Sequence, residues 1–497
     1  MNSRTMELGT MKLRTKRLTT KLASMSVFPL CIALFCTAIA AIAPAQTFHL
    51  LHSFTGTEGA DPYAGLIQGT DGNLYGTTTD GGINGTGNVF RITPGGKVTS
   101  LYDFCSQPNC TDGATPVTAL VEGSDGNFYG TTQSGGIYGT DHGGFGTIFK
   151  VTPSGALTTL HSFSGDDGAY PYGPLMLATN GDFYGTSNLG GANGGGTLFT
   201  ITSSGGLTTL YNFCSQSGCV DGQYPVGAIV QASDGNLYGT THAGGDYAPC
   251  NPDGCGTVFK MTLSGKLTTL HTFDETDGAY PYGGVIEGPN KLFYGTTPIG
   301  GTSDDGTIFT IDSSATFNTL HSFSGPDGSQ PYAILLGSDG NFYGTTLSGY
   351  GDGPYPRGSV FEMTPDGTVT NLHTFDGRHG KNPYAGLVQH TDGAFYGTSF
   401  FGGADGDGIV YSVSMGLPPF VEMQPASGNI GVAITILGTK LKGATAVSFN
   451  GTPATFTVVS SSEIIANVPA GATSGTVTVT TPKDGTLNSN VAFQVTR

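Results

Sequence analysis

The feature that most constrains this chain is an internal repeat with a period of about 54 residues, the length scale of propeller blades and similar arrays. The tetrapeptide Tyr-Gly-Thr-Thr/Ser begins at Tyr75, Tyr129, Tyr184, Tyr238, Tyr294, Tyr343 and Tyr396, seven times at nearly even spacing. Each copy carries four short apolar runs. In the first copy they cover Gly65 to Gln68, then Leu74 to Thr78 after an Asp71-Gly72-Asn73 turn, then Val89 to Thr93, then Val98 to Phe104 after Pro94-Gly95-Gly96. Asp-Gly and Pro-Gly between short β-rich runs are hairpin signals, because glycine supplies the positive φ that tight turns need. Four short strands per unit, repeated seven times, predict an all-β chain whose main body is a seven-bladed β-propeller.

The two ends of the array sharpen this reading. The fourth strand occurs once before any unit begins, at Leu51-His52-Ser53-Phe54, and is missing after the last third strand near Ile409 to Val413. A propeller must close without an open sheet edge, so the N-terminal strand is expected to complete the last blade. A β-solenoid is the alternative; it needs no such exchange and usually has a shorter repeat. Within each unit the loops joining first to second and third to fourth strands are short and regular. The other two vary, and antiparallel order puts both variable sets on one face, where binding function usually sits.

Glycine at 82 residues, aromatics at 10% and charged residues at 11% fit a turn-rich β protein. Arg4, Lys12, Arg14, Lys16, Arg17 and Lys21 precede an apolar run from Val27 to Ala43, which reads as a secretory signal cleaved after Ala45, with a retained N-terminal anchor as the alternative. No later stretch could span a membrane. Loss of residues 1–45 removes six basic residues and Glu7 and moves the net charge from −17 to −22. Nucleic acid is thereby an unsuitable partner, since phosphate binding needs a basic footprint. The expected domains are the signal (1–45), the propeller (46–415) and a C-terminal module (416–497).

Cys31 and Cys36 lie in the signal; the other six form three C-x₄-C pairs, Cys105/Cys110, Cys214/Cys219 and Cys250/Cys255. Export permits disulfides. Zinc is the competing reading, but no histidine or third cysteine stands at ligand spacing in these loops, which favours local disulfides.

The unit YGTT-x₂-GG…G-T-V/I-F-x-I/M-T…G-x-L-T-T-L-H-S-F…DG…P-Y resembles the tandem GloVer repeat of exported bacterial proteins over Thr47 to Met415. That resemblance implies an architecture and varied C-terminal modules, and brings no enzymatic activity to particular positions. Residues 416–497 follow Leu417-Pro418-Pro419. Their run through Pro425, Gly428, Gly431, Ile434-Thr435-Ile436, Gly438, Val447-Ser448-Phe449-Asn450-Gly451, Val468-Pro469 and Phe493 to Val495 resembles the IPT/TIG immunoglobulin-like domain. Alternating apolar residues independently predict a β-sandwich. The resemblance implies a spacer or contact domain.

Candidate chemistry divides into repeated and unrepeated residues. His52, His161, His271, His321 and His373 share one repeat position, with Tyr102 and Tyr211 in the other two blades. A residue present in blade after blade is expected to make a structural hydrogen bond, metal ligation being the alternative. The tyrosines of YGTT are expected to pack between blades. Acidic residues crowd the loops between second and third strands, among them Asp80, Asp304 and Asp305. There Asp405 and Asp407 offer calcium two carboxylates but lack the D-x-D-x-D-G spacing and distal glutamate of a calcium loop. The bland reading is a solvated Asp-Gly turn. A single ligand site would be built from residues that break the repeat: Asp141, His142, His242, Asp246, Arg357, Arg378, His379 and Lys381. They form no recognisable triad or carboxylate pair.

The expected function is therefore an exported, non-enzymatic binding or display protein of the cell surface or envelope. Its partner would be a glycan, an envelope or matrix polymer, or a surface protein, and it would need no cofactor except, in one reading, calcium. A propeller lyase or hydrolase acting on polysaccharide and a purely structural envelope protein are the alternatives. Ligand, oligomeric state and final compartment (extracellular, cell-surface or periplasmic) stay open at this level.

Overall fold

The computed structural model describes residues 46–138, 143–245, 250, 252–349 and 357–496. The signal read over residues 1–45 lies outside them, as do the candidates Asp141, His142 and Asp246. Among the described residues no helix is long and apolar enough to cross a membrane.

Each repeat forms one four-stranded antiparallel sheet in sequence order. In the first blade Ile67–Gln68, Leu74–Thr78, Asn88–Ile92 and Val98–Asp103 pair successively. Five further sheets begin at Val121, Met176, Val230, Val285 and Ser329. The seventh takes Val388–Gln389, Phe395–Ser399 and Ile409–Ser414 from the end of the array, and its outer strand is Thr47–Ser53. That strand runs antiparallel, with Thr47 opposite Ser414 and Ser53 opposite Ile409, so the ring closes without a free edge.

The strand pattern explains the packing. Second strands such as Leu74–Thr78 are buried at every position. Their glycine is obligatory: a Cβ on Gly76 would stand 2.8 Å from the Phe90 ring of the next strand. The tyrosine beside it reaches into the following blade, where Tyr75 stacks on Phe128 at 4.0 Å and Tyr238 on Phe293 at 3.8 Å between ring centroids. Its hydroxyl meanwhile donates to the turn aspartate, Tyr75 to Asp71 and Tyr129 to Asp125, both at 2.8 Å. One residue thus fixes a turn with its polar end and a blade joint with its ring.

The crossings between blades share a conformation that the sequence does not advertise. The residue before each crossing proline is left-handed and is not glycine: Asp61, Thr115, Tyr170, Tyr224, Tyr280, Gln330 and Asn382, with φ between 52° and 59°. Its N–H donates to the preceding blade, as Tyr170 does to Phe145 O at 2.8 Å and Tyr280 to Cys255 O at 2.8 Å. The proline then covers a glycine of that blade, so a Cβ on Gly256 would meet Pro281 Cδ at 2.8 Å and Thr241 O at 2.4 Å.

The C-terminal segment is a two-sheet sandwich. One sheet orders Glu422–Gln424, Ala433–Leu437, Glu463–Asn467 and Phe456–Val458; the other orders Thr452–Pro453, Ala446–Phe449, Val477–Thr481 and Gly485–Asn488. Ile434, Ile436, Val447, Phe449, Val477 and Val479 alternate inward to form its core. The chain is all-β, a seven-bladed propeller followed by an immunoglobulin-like sandwich.

Candidate functional site at the channel mouth

First strands are shorter than the apolar runs suggest. In five blades they are two residues long, because the residues just ahead of them line the central channel instead of pairing. These segments begin where the crossings deliver the chain, at the variable-loop end of the channel. There they enclose a cavity of about 300 Å³. Five blades contribute a tyrosine, Tyr63, Tyr172, Tyr282, Tyr332 and Tyr384. The other two contribute Val117 and Val226 at the same position. Leu66, Ile334 and Leu387 line it as well, and among the described residues no charged side chain does.

The tyrosines are half-buried and arranged unevenly. Tyr63 stacks with Tyr384 at 4.9 Å, Tyr282 stacks with Tyr332 at 5.2 Å, and Tyr332 meets Tyr384 edge-on at 5.4 Å. Tyr172 has a valine blade on either side, and among the described residues no other aromatic ring packs on it. Its hydroxyl accepts a 2.6 Å hydrogen bond from Gln133 Nε2. Burial raises all five phenols above the ordinary tyrosine range, and neighbouring phenols add to the rise at Tyr63, Tyr172, Tyr282 and Tyr332. They therefore remain protonated and able to donate.

The residue that follows YGTT/S differs in every blade, and in three of them it packs on or bonds to this ring. It is Gln133 in the second blade, Phe400 in the seventh, 5.4 Å from Tyr384, and His242 in the fourth. His242, which breaks the repeat, has its ring 4.6 Å from Tyr282 and 5.2 Å from Tyr280. Its Nδ1 is buried without a protein partner, and burial lowers its pKa. The tyrosines themselves appear in the sequence only as the Pro-Tyr of five of the seven crossings; repetition disguised them as scaffold.

The other described candidates lie elsewhere. Arg357, Arg378, His379 and Lys381 gather at the crossing into the last blade. Arg357 Nη1 donates to Asp376 O, His379 Nδ1 pairs with Asp376 at 2.7 Å, Gly403 N–H donates to Arg378 O, and Lys381 bridges Phe401 through its backbone. Asp405 is exposed, while Asp61 has two carboxylate neighbours, Asp80 and half-buried Asp407. Burial and these two carboxylates push Asp61 up to about 6. Among the described residues no three His, Cys, Asp or Glu side chains are placed to hold a metal ion.

The repeated histidines hold the crossings. His161 Nε2 meets Asp167 at 2.8 Å, His271 meets Asp277 at 2.8 Å, His321 meets Asp327 at 2.9 Å, and His52 meets Glu58 at 3.1 Å. His373 departs from this pattern. His379 stands where the other crossings have the acid, so His373 Nε2 is buried without a partner, its ring stacks on Phe48 at 3.7 Å, and burial lowers its pKa to about 4. Where tyrosine replaces histidine, the crossing is longer and carries a disulfide. Cys105–Cys110 and Cys214–Cys219 are bonded there, and Cys250–Cys255 closes the loop after His242.

The family described as the Gloeobacter/Verrucomicrobia repeat matches residues 37–251 and 250–424, and the IPT/TIG domain matches residues 418–495. No curated protein matches. Among solved structures, a fungal alcohol oxidase of the AA5 family in complex with copper shares 13% identity with a TM-score of 0.48, over 91% of this chain and 99% of its own. A luciferin-regenerating enzyme shares 14% with a TM-score of 0.38, over 59% of this chain and 89% of its own. Neither likeness bears on chemistry. The chain belongs to the Gloeobacter/Verrucomicrobia repeat family, with an IPT/TIG domain at its C-terminal end.

Proposed function

We propose that this is an exported, non-catalytic binding or display protein of the cell surface or envelope, holding a glycan, a matrix polymer or a surface protein on the variable-loop face. The sandwich acts as spacer or docking module. The observation that carries this reading is the channel mouth: an aromatic, uncharged cavity on a rigid ring, at the face where loops differ from blade to blade. Three disulfides on that same face suit an oxidising compartment.

The test is retention of the purified chain on polysaccharides and on envelope fractions, beside an assay for turnover. Retention without turnover supports the proposal; turnover of a polysaccharide without stable retention overturns it. A second reading, a propeller lyase or hydrolase, has His242 in its favour, a buried imidazole of lowered pKa beside the mouth. In that reading His242→Ala abolishes turnover, whereas a binding protein has none to lose.

A further inference from the structure

The mouth is a closed ring, and its two sides differ. Tyr282, Tyr332, Tyr384 and Tyr63 form a continuous wall in which neighbouring rings cover one another. On the other side Val117 and Val226 take the flanking positions, so Tyr172 has no aromatic neighbour among the described residues, and Gln133 holds its hydroxyl at 2.6 Å. A half-buried ring pinned at its polar end, with no aromatic partner already stacked on it, is a stacking platform.

A second, independent observation falls in the same sector. The penultimate residue of each YGTT/S tetrapeptide is a threonine whose hydroxyl normally donates to the channel-lining carbonyl of the next blade. Thr77 donates to Thr118 O, Thr240 to Gly283 O, Thr296 to Tyr332 O, Thr345 to Ala385 O and Thr398 to Ala64 O, at 2.9–3.0 Å. Thr131 of the second blade meets the Thr118 hydroxyl at 3.0 Å instead. Thr186 of the third blade is the exception: it is 1% exposed and its Oγ1 has no protein partner. It lies directly behind the Tyr172 segment, where a Cβ on Gly173 would stand 2.7 Å from that oxygen. Buried hydroxyls are almost always hydrogen-bonded, so the orphan at Thr186 marks the joint at which the tetrapeptide leaves the channel-lining segments untied, next to the tyrosine that lacks aromatic neighbours.

Resting on the binding reading above, we infer that the mouth takes the terminal sugar of a neutral glycan, inserted end-on, with Tyr172 stacking on the sugar face. The free phenols of Tyr282, Tyr332 and Tyr384 meet the sugar hydroxyls from the opposite wall. Neutrality follows from the lining, since a charged sugar would be desolvated with no partner. End-on binding follows from closure: seven blades surround the cavity, and a polymer cannot lie across a hole about 300 Å³ in volume without threading it.

The chain has no tryptophan to mask its tyrosine emission, and five of its 22 tyrosines line the mouth, so the fluorescence change lost in Tyr172→Ala is the signal that belongs to the site. The full chain is titrated with linear neutral gluco-, manno- and galacto-oligosaccharides, with cyclic α-glucans, and with oligouronates. At least one linear neutral series is expected to bind, with the cyclic and acidic probes failing. Tyr172→Ala is expected to weaken binding about ten-fold or more, and Tyr172→Phe to weaken it less. Val226→Tyr, which fills the gap beside Tyr172 without touching the blade cores, is expected to block binding. Cyclic probes binding as well as linear ones, preference for oligouronates, or affinity unmoved by both Tyr172→Ala and Val226→Tyr would each overturn the inference. If a polysaccharide or envelope fraction still retains those two variants at wild-type strength, the ligand sits on the outer loops, and the binding reading survives while this site falls. If the wild-type chain is retained by nothing, both fall.

Discussion

On the hairpin face of the propeller the same side chains recur; on the loop face the same backbone recurs and the side chains change. Along the hairpin face Asp71, Asp125, Asp234 and Asp339 each accept from a tyrosine hydroxyl at 2.8 Å. Five of the seven blade joints are tied there by one device, a backbone N–H donating to the next blade's carboxamide or carboxylate. Thr70 donates to Glu122, Thr179 to Gln231, Ser233 to Glu287 and Ser338 to Gln389, and Thr391 to Gln68 closes the ring. Along the loop face every crossing keeps a left-handed residue ahead of its proline, yet that residue is Asp, Thr, Tyr, Gln or Asn. The joint is held by backbone hydrogen bonds and glycine–proline contact, which releases the side chains for other work. The difference teaches where to look for function: at positions the fold constrains in conformation but not in chemistry.

Four expectations test this contrast, from the largest effect to the smallest. Removal of residues 46–54 strips the outer strand from the last blade and leaves Ile409–Ser414 as an open edge, so the product should aggregate or dimerise on size exclusion. Monomeric, fully folded material would mean that closure does not depend on this strand. Gly256→Ala places a Cβ against Thr241 O and Pro281 in a left-handed conformation, and should cost about 3 kcal/mol in denaturant unfolding. A loss under about 1 kcal/mol would show that the crossing backbone yields easily.

The disulfide-bearing crossings should respond more strongly than the histidine ones. Asp221 is fully buried and accepts from Tyr211, from Ser215 N–H and Oγ, and from Gln216 N–H, whereas Asp277 accepts chiefly from His271 and Asp274 N–H. Asp221→Ala should therefore cost about 2–3 kcal/mol and Asp277→Ala about 1 kcal/mol. Equal losses would erase the distinction.

The smallest effect is a pH dependence at the closure seam. Asp61 is raised from its ordinary value to about 6 by burial and by Asp80 and Asp407. A carboxyl whose native pKa exceeds its unfolded one stabilises the fold fully at low pH and loses that contribution as pH rises through about 6. Asp61→Asn, which tolerates the left-handed backbone, should thus raise stability by about 1 kcal/mol near pH 8, allowing for solvent screening, and change nothing near pH 4. Stabilisation at both pH values would point to the backbone instead of the charge.

Much of the fold was legible because its signals are local. Short strands of period two, glycine turns and a unit recurring at nearly even spacing are written within single repeats, and the count of fourth strands at the two ends required that Thr47–Ser53 return to the last blade. The disulfides were readable from spacing once zinc ligands were absent from the loops. His242 was readable as a departure from the repeat. The failed hydrogen bond of His373 could also have been found there, since His379 occupies the acid's place; an alignment of crossings shows it.

The unit and its number of copies were written in the chain because each strand and turn depends on neighbours within about one repeat, and the mode of closure followed from counting strand types at the two ends. Only tertiary structure decided the site. Tyr63, Tyr172, Tyr282, Tyr332 and Tyr384 stand in five different repeats, and along the chain they are five copies of one structural letter. Closing the ring turns regular spacing along a line into convergence on an axis, and the two blades that carry valine then open a gap that no single repeat contains.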